Sequence, residues 1–327
     1  MSLPRRLALV LPMLAIAADG AADPAALAAW PVAFDGRRDG AQSVGELDYL
    51  AGYALDGDSA GWGGLSGMAI STDGAALWAV ADVGIWYRFE LRHNAGGRLD
   101  DIRMQDSGHL LDDSGQPIAT KCRGDAEALA VKSDGYFYVA FECRHRLWRY
   151  RAPGDPFAAP ARVVRLPTEA ALLPNNSGLE AATFLPGDRL FMLAQDSATA
   201  GADLPGWFFD GARWQAVTLA RSGAFEPTDM TLLPSGDVLL LERSFSVLAG
   251  PRARLSILPK SSIVPGARLA GREIAVIAPP LTVDNFEAVA ARPGSDGATL
   301  IYLLSDDNQN ALQRTLLLQF RLRPPGG

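Results

Sequence analysis

The stretch Asp125-Ala126-Glu127-Ala128-Leu129-Ala130-Val131-Lys132-Ser133-Asp134-Gly135-Tyr136-Phe137-Tyr138-Val139-Ala140-Phe141-Glu142 reads as two short apolar strands about a tight turn. Asp-Gly is a strong hairpin signal, because a tight reversal needs residues that accept positive φ. Pairing counted from Asp134-Gly135 sets Glu127 opposite Glu142, at the end of the hairpin away from the turn.

The same pattern occurs four more times. Gly64-Leu65-Ser66-Gly67-Met68 runs through Asp73-Gly74 to Ala81-Asp82, and Gly178-Leu179-Glu180-Ala181-Ala182 runs through Gly187-Asp188 to Gln195-Asp196. Pro227-Thr228-Asp229-Met230-Thr231 runs through Ser235-Gly236 to Leu241-Glu242. Asn285-Phe286-Glu287-Ala288-Val289 runs through Gly294 and Gly297 to Ser305-Asp306. The aligned positions Ser66, Glu127, Glu180, Asp229 and Glu287 recur at roughly 50- to 60-residue intervals, the size of a propeller blade. Further strands follow the hairpins, as at 147–151 and 162–166, or 254–258 and 273–277. No amphipathic helix of three turns interrupts them.

These features predict an all-β propeller. After Glu287 the chain holds three strands, the last being Thr315 to Leu322, and Glu46 to Leu55 supplies a fourth. The expectation is five four-stranded blades, the last closed by the N-terminal strand, which removes a free sheet edge. Six blades is the alternative.

Outside the repeats, Arg5 and Arg6 precede an apolar run from Leu7 to Ala18 and then small residues, the pattern of a secretory signal peptide. The expected organisation is a signal peptide over 1–22, a lead-in over 23–45 and one propeller domain over 46–327. An exported bacterial protein, periplasmic or secreted, follows, with no integral membrane segment in the mature chain. In such a protein two cysteines usually pair, and the hairpin brings Cys122 and Cys143 together; two buried thiols are the alternative. Thirty basic against 37 acidic residues give a net charge of −7, which argues against nucleic acid and anionic membranes as partners. A monomer with a small-molecule ligand, anionic or an ester, is expected.

The innermost strand of each blade faces the channel, so Glu127, Glu180, Asp229 and Glu287, with Ser66, should converge at one end of it. Asp82, Glu142, Asp196, Glu242 and Asp306 should lie just behind. Carboxylates aimed at one axis repel unless something neutralises them. Hard oxygen donors in that number suit Ca²⁺, whereas Zn²⁺ would want His or Cys. His93, His109 and His145 show no metal-ligand spacing. Strand-end capping, or pairing with arginine, is the alternative reading.

For chemistry, Gly64-Leu65-Ser66-Gly67-Met68 fails the nucleophile-elbow pattern at Met68, and a strand rather than a helix follows. Metal-assisted hydrolysis is the economical mechanism, with Glu242 as the carboxylate that takes the proton and His145 as a further base. Arg123 and Arg243 flank the acidic positions and could orient an anion.

Read in order, Gly63-Gly64-Leu65-Ser66-Gly67, Asp125-Ala126-Glu127-Ala128, Asn176-Ser177-Gly178-Leu179-Glu180, Leu240-Leu241-Glu242-Arg243-Ser244-Phe245, Asp284-Asn285-Phe286-Glu287 and Ser305-Asp306-Asp307-Asn308 resemble the "esterase-like activity of phytase" family. The resemblance runs from about residue 45 to 320. It implies a phytase-like propeller that binds calcium and hydrolyses esters or phosphate esters. The chain departs from alkaline phytases in having only three lysines, Lys121, Lys132 and Lys260. Two other readings stand beside it. One is a non-catalytic periplasmic propeller that binds a ligand or partner around structural calcium. The other is a lactonase- or arylesterase-type propeller.

Overall fold

Each of the five repeats folds into one antiparallel sheet in a computed structural model that describes residues 26–37, 40, 42–58, 61–308, 310 and 312–324. Blade one comprises Leu65–Ile70, Ala76–Ala81, Ile85–His93 and Leu99–His109. Blade two comprises Ala126–Val131, Phe137–Phe141, Arg146–Tyr150 and Arg162–Val164. Blade three runs Leu179–Leu185, Arg189–Ala194, Leu204–Phe209 and Trp214–Leu219, with Arg268–Leu269 added in parallel at its edge. Blade four is Glu226–Leu232, Val238–Ser246, Gly250–Leu258 and Arg272–Ile277.

Blade five closes the ring. Asn285–Pro293, Thr299–Asp306 and Thr315–Leu322 are joined by Leu47–Gly57, which pairs antiparallel with the last of them. Leu27–Pro31 then pairs with Leu47–Gly57 on the outside. The expected signal peptide over 1–22 lies outside the described residues.

The five innermost strands contact one another in cyclic order. Among the described residues the core divides into five buried clusters, each lying between two neighbouring blades. Tyr87 and Tyr302 belong to the cluster between blades five and one, and Phe141 and Trp148 to the one between blades one and two. This placement follows from the pleat: strands with apolar residues on both faces pack in stacked sheets, so each blade is covered on both sides.

The chain reverses at each expected dipeptide, but in blades two, three and four through a three-residue loop, which moves the pairing one residue from the two-residue count. Gly135 adopts φ 85° and Gly74 φ 76°, left-handed values that only glycine takes without strain. One feature escapes a count from the turn. Every inner strand carries a β-bulge in the same place, at Ser66, Glu127, Glu180, Thr228 and Glu287. A bulge inserts a residue with no cross-strand partner and re-aims its side chain. The channel beyond the bulges is a cavity of about 310 Å³ lined by all five inner strands, with Met68, Leu129, Ala182, Met230 and Val289 on its wall.

Candidate metal centre

The bulges gather the acidic residues at one end of the channel. Glu127, Glu180 and Glu287 hold bulge positions in blades two, three and five, Ser66 in blade one, and Thr228 in blade four. The expected place of Asp229 in this ring is therefore corrected by one residue. Asp229 is in register with Leu241 and only 1% exposed. Its carboxylate accepts from the backbone of Met230 at 2.8 Å and of Val289 at 2.8 Å, and from that of Ala182. Burial still pushes its pKa well up, against those hydrogen bonds. It ties the inner strands of blades three, four and five together. Thr228, which takes the ring position, binds across to the carbonyl of Phe286 at 3.2 Å.

Behind the bulges the second positions are Asp82, Glu142, Gln195, Arg243 and Asp306. Their backbones pair with Gly64, Asp125, Gly178, Glu226 and Asn285 respectively. The expected pairing of Glu127 with Glu142 thus gives way to Asp125 with Glu142. Two other expectations shift by one residue. Asp196 lies a step past the ring and pairs with Arg221. Glu242 lies a step before it, 5% exposed inside blade four. There Arg254 grips it in a fork, at 2.8 and 2.6 Å, and the Ser256 hydroxyl adds a contact at 3.1 Å. Held in that way, Glu242 has no free access to a reacting group at the channel mouth.

Oxygens of Asp125, Glu127 and Glu142 lie within 4.8 Å of one another, the convergence a cation needs. Asp125 follows the short helix Lys121–Gly124, and Glu142 precedes Cys143. The disulfide between Cys122 and Cys143, with Cα atoms 5.3 Å apart, fastens these two approaches to each other. The carboxyls of Glu180 and Glu142 share a hydrogen bond, as do those of Glu127 and Asp125. Gly178 also donates its amide to Glu142. A Cβ at Gly64 would stand 2.1 Å from Oδ1 of Asp82, so glycine there leaves room for that carboxylate. Lys121 pairs with the other oxygen of Asp82 at 2.7 Å, while Oδ1 is buried with no hydrogen-bond partner among the described residues.

The electrostatics follow from crowding. Burial, then Glu142, Asp125 and Glu287, push the Glu127 carboxyl well above the ordinary range, although it keeps partial contact with solvent in the channel. Burial and the neighbouring glutamates do the same to Glu180. Burial raises Asp125 to about 6 against the pull of Lys121, and raises Asp306 to about 6. Burial lifts Glu287 to about 7 although Arg243 pulls it down. Carboxyls crowded and buried in this way are ones that a divalent cation fits, because the ion supplies the positive charge that offsets their mutual repulsion. All the donors are hard oxygens, which suits Ca²⁺ or Mg²⁺ and not a soft metal.

Arg243 enters the ring from blade four. Its Nη1 lies 2.8 Å from Glu287 and 2.7 Å from Oδ1 of Asn285. Asn285 in turn donates to Glu287 at 2.6 Å. Arg243 and Asn285 also line the inner end of a cavity of about 1010 Å³ between blades four and five. The remaining expected site residues lie to the side. Arg123 engages Asp112 at 2.7 Å, away from the ring. His145 sits beside Gly178, with Nε2 3.3 Å from the carbonyl of Leu173 and Nδ1 buried and unpartnered among the described residues. Sequence reasoning passed over Asp125 and Gln195 as site residues. Asp125 comes opposite Glu142 through two one-residue shifts, one from the three-residue loop Ser133-Asp134-Gly135 and one from the bulge at Glu127.

No helix among the described residues is long and apolar enough to cross a membrane. No curated protein sequence matches the chain. Among solved structures it resembles a protein of unknown function from Dyadobacter fermentans, at 15% identity and TM-score 0.45, over 92% of this chain and 95% of that one. It also resembles the PQQ-bound aldose sugar dehydrogenase of Streptomyces coelicolor, at 14% identity and TM-score 0.43, over 83% and 97%. For virginiamycin B lyase from Staphylococcus aureus the values are 14% and 0.39, over 80% and 71%. At these identities and TM-scores the likenesses carry no functional argument. The family model described as phytase-like, "esterase-like activity of phytase", matches residues 60–309, and the chain belongs to that family.

Proposed function

We propose that the protein is an exported, calcium-dependent hydrolase of phosphate esters or other esters, acting where the channel meets the cavity between blades four and five. The observation that supports this best is the convergence of Asp125, Glu127 and Glu142 within 4.8 Å in a member of this family. Those three carboxylates would hold the ion. When bound, the ion would supply Lewis-acid polarisation of an ester oxygen.

The chain's own residues supply the rest. Glu287, whose Oε1 takes the contacts from Arg243 and Asn285 that join it to the cavity lining and whose pKa burial raises to about 7, is the carboxylate assigned to acid–base work. It takes over the role that Glu242 was expected to fill. Arg243 keeps the Glu287 carboxylate oriented and turns a guanidinium edge toward the cavity. Its charge persists because Glu287, Glu180 and Glu226 outweigh the burial that opposes it.

The test is turnover of a panel of phosphomonoesters, phosphodiesters, short acyl esters and lactones, with calcium and with EDTA. Calcium-dependent hydrolysis of one class, abolished by Glu127→Gln, is expected. No turnover of any class under either condition would overturn the hydrolase reading in favour of a non-catalytic binding propeller.

A further inference from the structure

The cavity between blades four and five has two chemically distinct walls. One is cationic. Arg252 lies on the same strand as Arg254, two residues away, and both guanidiniums stack on Phe225, at 5.2 and 4.3 Å from the ring centre. Arg254 is committed to Glu242, whereas Arg252 has no carboxylate partner among the described residues. Arg314, on the facing wall, stands 3.9 Å from Asp284, a long contact. The Asp284 carboxylate instead accepts from the backbone amides of Asn285 and Arg314, at 3.0 and 3.1 Å.

The other wall is apolar. Phe245 and Pro251, paired across the hairpin of blade four, and Val283 from the approach to blade five line it. Phe245 leaves 74% of its surface in water, and the hairpin tip beyond it presents Leu248 fully exposed. An aromatic ring is costly to leave wet at the lip of a cavity, and a ligand that covers it recovers apolar burial. A guanidinium that lacks a carboxylate and lies against an aromatic face is suited to an anionic group.

We infer that this cavity binds the organic part of the substrate, and that the substrate is an amphiphilic ester. One anionic group is held by Arg252, with an aryl or alkyl group laid against Phe245, Pro251 and Val283. The ester bond then faces Arg243 and Asn285 at the inner end. This rests on the hydrolase reading for the word substrate, but the binding chemistry stands on the cavity alone. Hydrolysis adds water across the ester bond to give the acid and the alcohol, and needs no other reactant.

Binding of three probes to the full chain, with calcium present, separates the terms: 4-phenylbutyrate carries both groups, acetate only the charge, 4-phenylbutanol only the apolar group. Calorimetry should show 4-phenylbutyrate about tenfold tighter than either of the others. Arg252→Ala should bring it down to the level of the alcohol, and Phe245→Ala should weaken it about three- to tenfold. Both side chains stand at the cavity surface, and unchanged melting would show that the variants fold. Equal binding of 4-phenylbutyrate and acetate, absence of 4-phenylbutyrate binding, or indifference to both substitutions would overturn the inference. Selective binding without ester turnover would uphold the cavity and sink the hydrolase reading. Turnover with KM unmoved by either substitution would do the reverse.

Discussion

Arg243 lies 2.8 Å from Glu287, and it does so from the position that Asp82, Glu142, Gln195 and Asp306 hold in the other four blades. One blade thus carries a cation where three of the others carry carboxylates. Removing that cation leaves Glu287 buried with no counter-charge. Arg243→Met should cost about 1–3 kcal/mol, less than a fully buried pair, since the Arg243 side chain is 35% exposed. Adding Glu287→Gln should restore part of the loss, and a thermal or urea double-mutant cycle reads the coupling. Additive losses would show that the two side chains do not interact.

Calcium should stabilise the protein by about 3–4 kcal/mol at 100 to 1,000 times its dissociation constant, and EDTA should remove the gain. Glu127→Gln and Asp229→Asn separate the two acidic roles. Glu127→Gln should shrink the calcium-dependent gain, and in EDTA it should raise stability by relieving repulsion. Asp229→Asn should lose stability equally with and without calcium, because its carboxylate binds backbone amides of three inner strands. If both variants lose the same amount under both conditions, the acidic cluster does not hold the ion.

The disulfide closes a separation of 21 residues, and constraint of the unfolded chain on that scale contributes about 3 kcal/mol. Reduction should lower the melting temperature. It should also raise the calcium midpoint, since Cys122 and Cys143 hold the approaches to Asp125 and Glu142. A drop in stability with an unmoved calcium midpoint would assign the bridge to the fold alone.

His93 gives the protein a pH dependence of its own, remote from the cluster. Its Nε2 meets the hydroxyl of Tyr302 at 2.8 Å, and that hydroxyl accepts from Arg292 at 3.1 Å and Gln319 at 2.9 Å. The hydroxyl proton therefore points to a neutral imidazole. Burial, reinforced by Arg292, lowers the His93 pKa to about 4. The unfolded chain binds this proton near pH 6.5 and the folded one does not, so stability should fall as pH drops from about 6.5 to 4. The loss should be about 1–2 kcal/mol after allowance for the half-exposed ring. Urea melts of the protein and of His93→Gln across that window should converge at low pH; parallel curves would discharge His93 from the effect.

The five-blade ring and its closure by the N-terminal strand were legible because repeat length and turn dipeptides are set locally. The acidic end of the channel was legible too, though the ligands within it were displaced. Asp229 aligned with Glu127 by residue type, yet the bulge in blade four falls on Thr228. A three-residue loop in place of a two-residue turn shifts the count by one, and the bulge, which carries no side-chain signature, shifts it by one more. The same drift made Asp196 and Glu242 look like ring members and hid Asp125. Arg254, which fastens Glu242 inside the blade, sits on a strand whose partner only the sheet reveals.

The pairing of Leu47–Gly57 with Thr315–Leu322 has a kinetic side. It joins strands from opposite ends of the sequence, and a contact of such separation is slow to find. Blades one to four can form from local hairpins while blade five still lacks a strand. In that interval the open edge of Thr315–Leu322 offers its unpaired backbone to any strand nearby, including the same strand of another molecule. Refolding yield should therefore fall with protein concentration more steeply than the native ring, which buries that edge, would suggest.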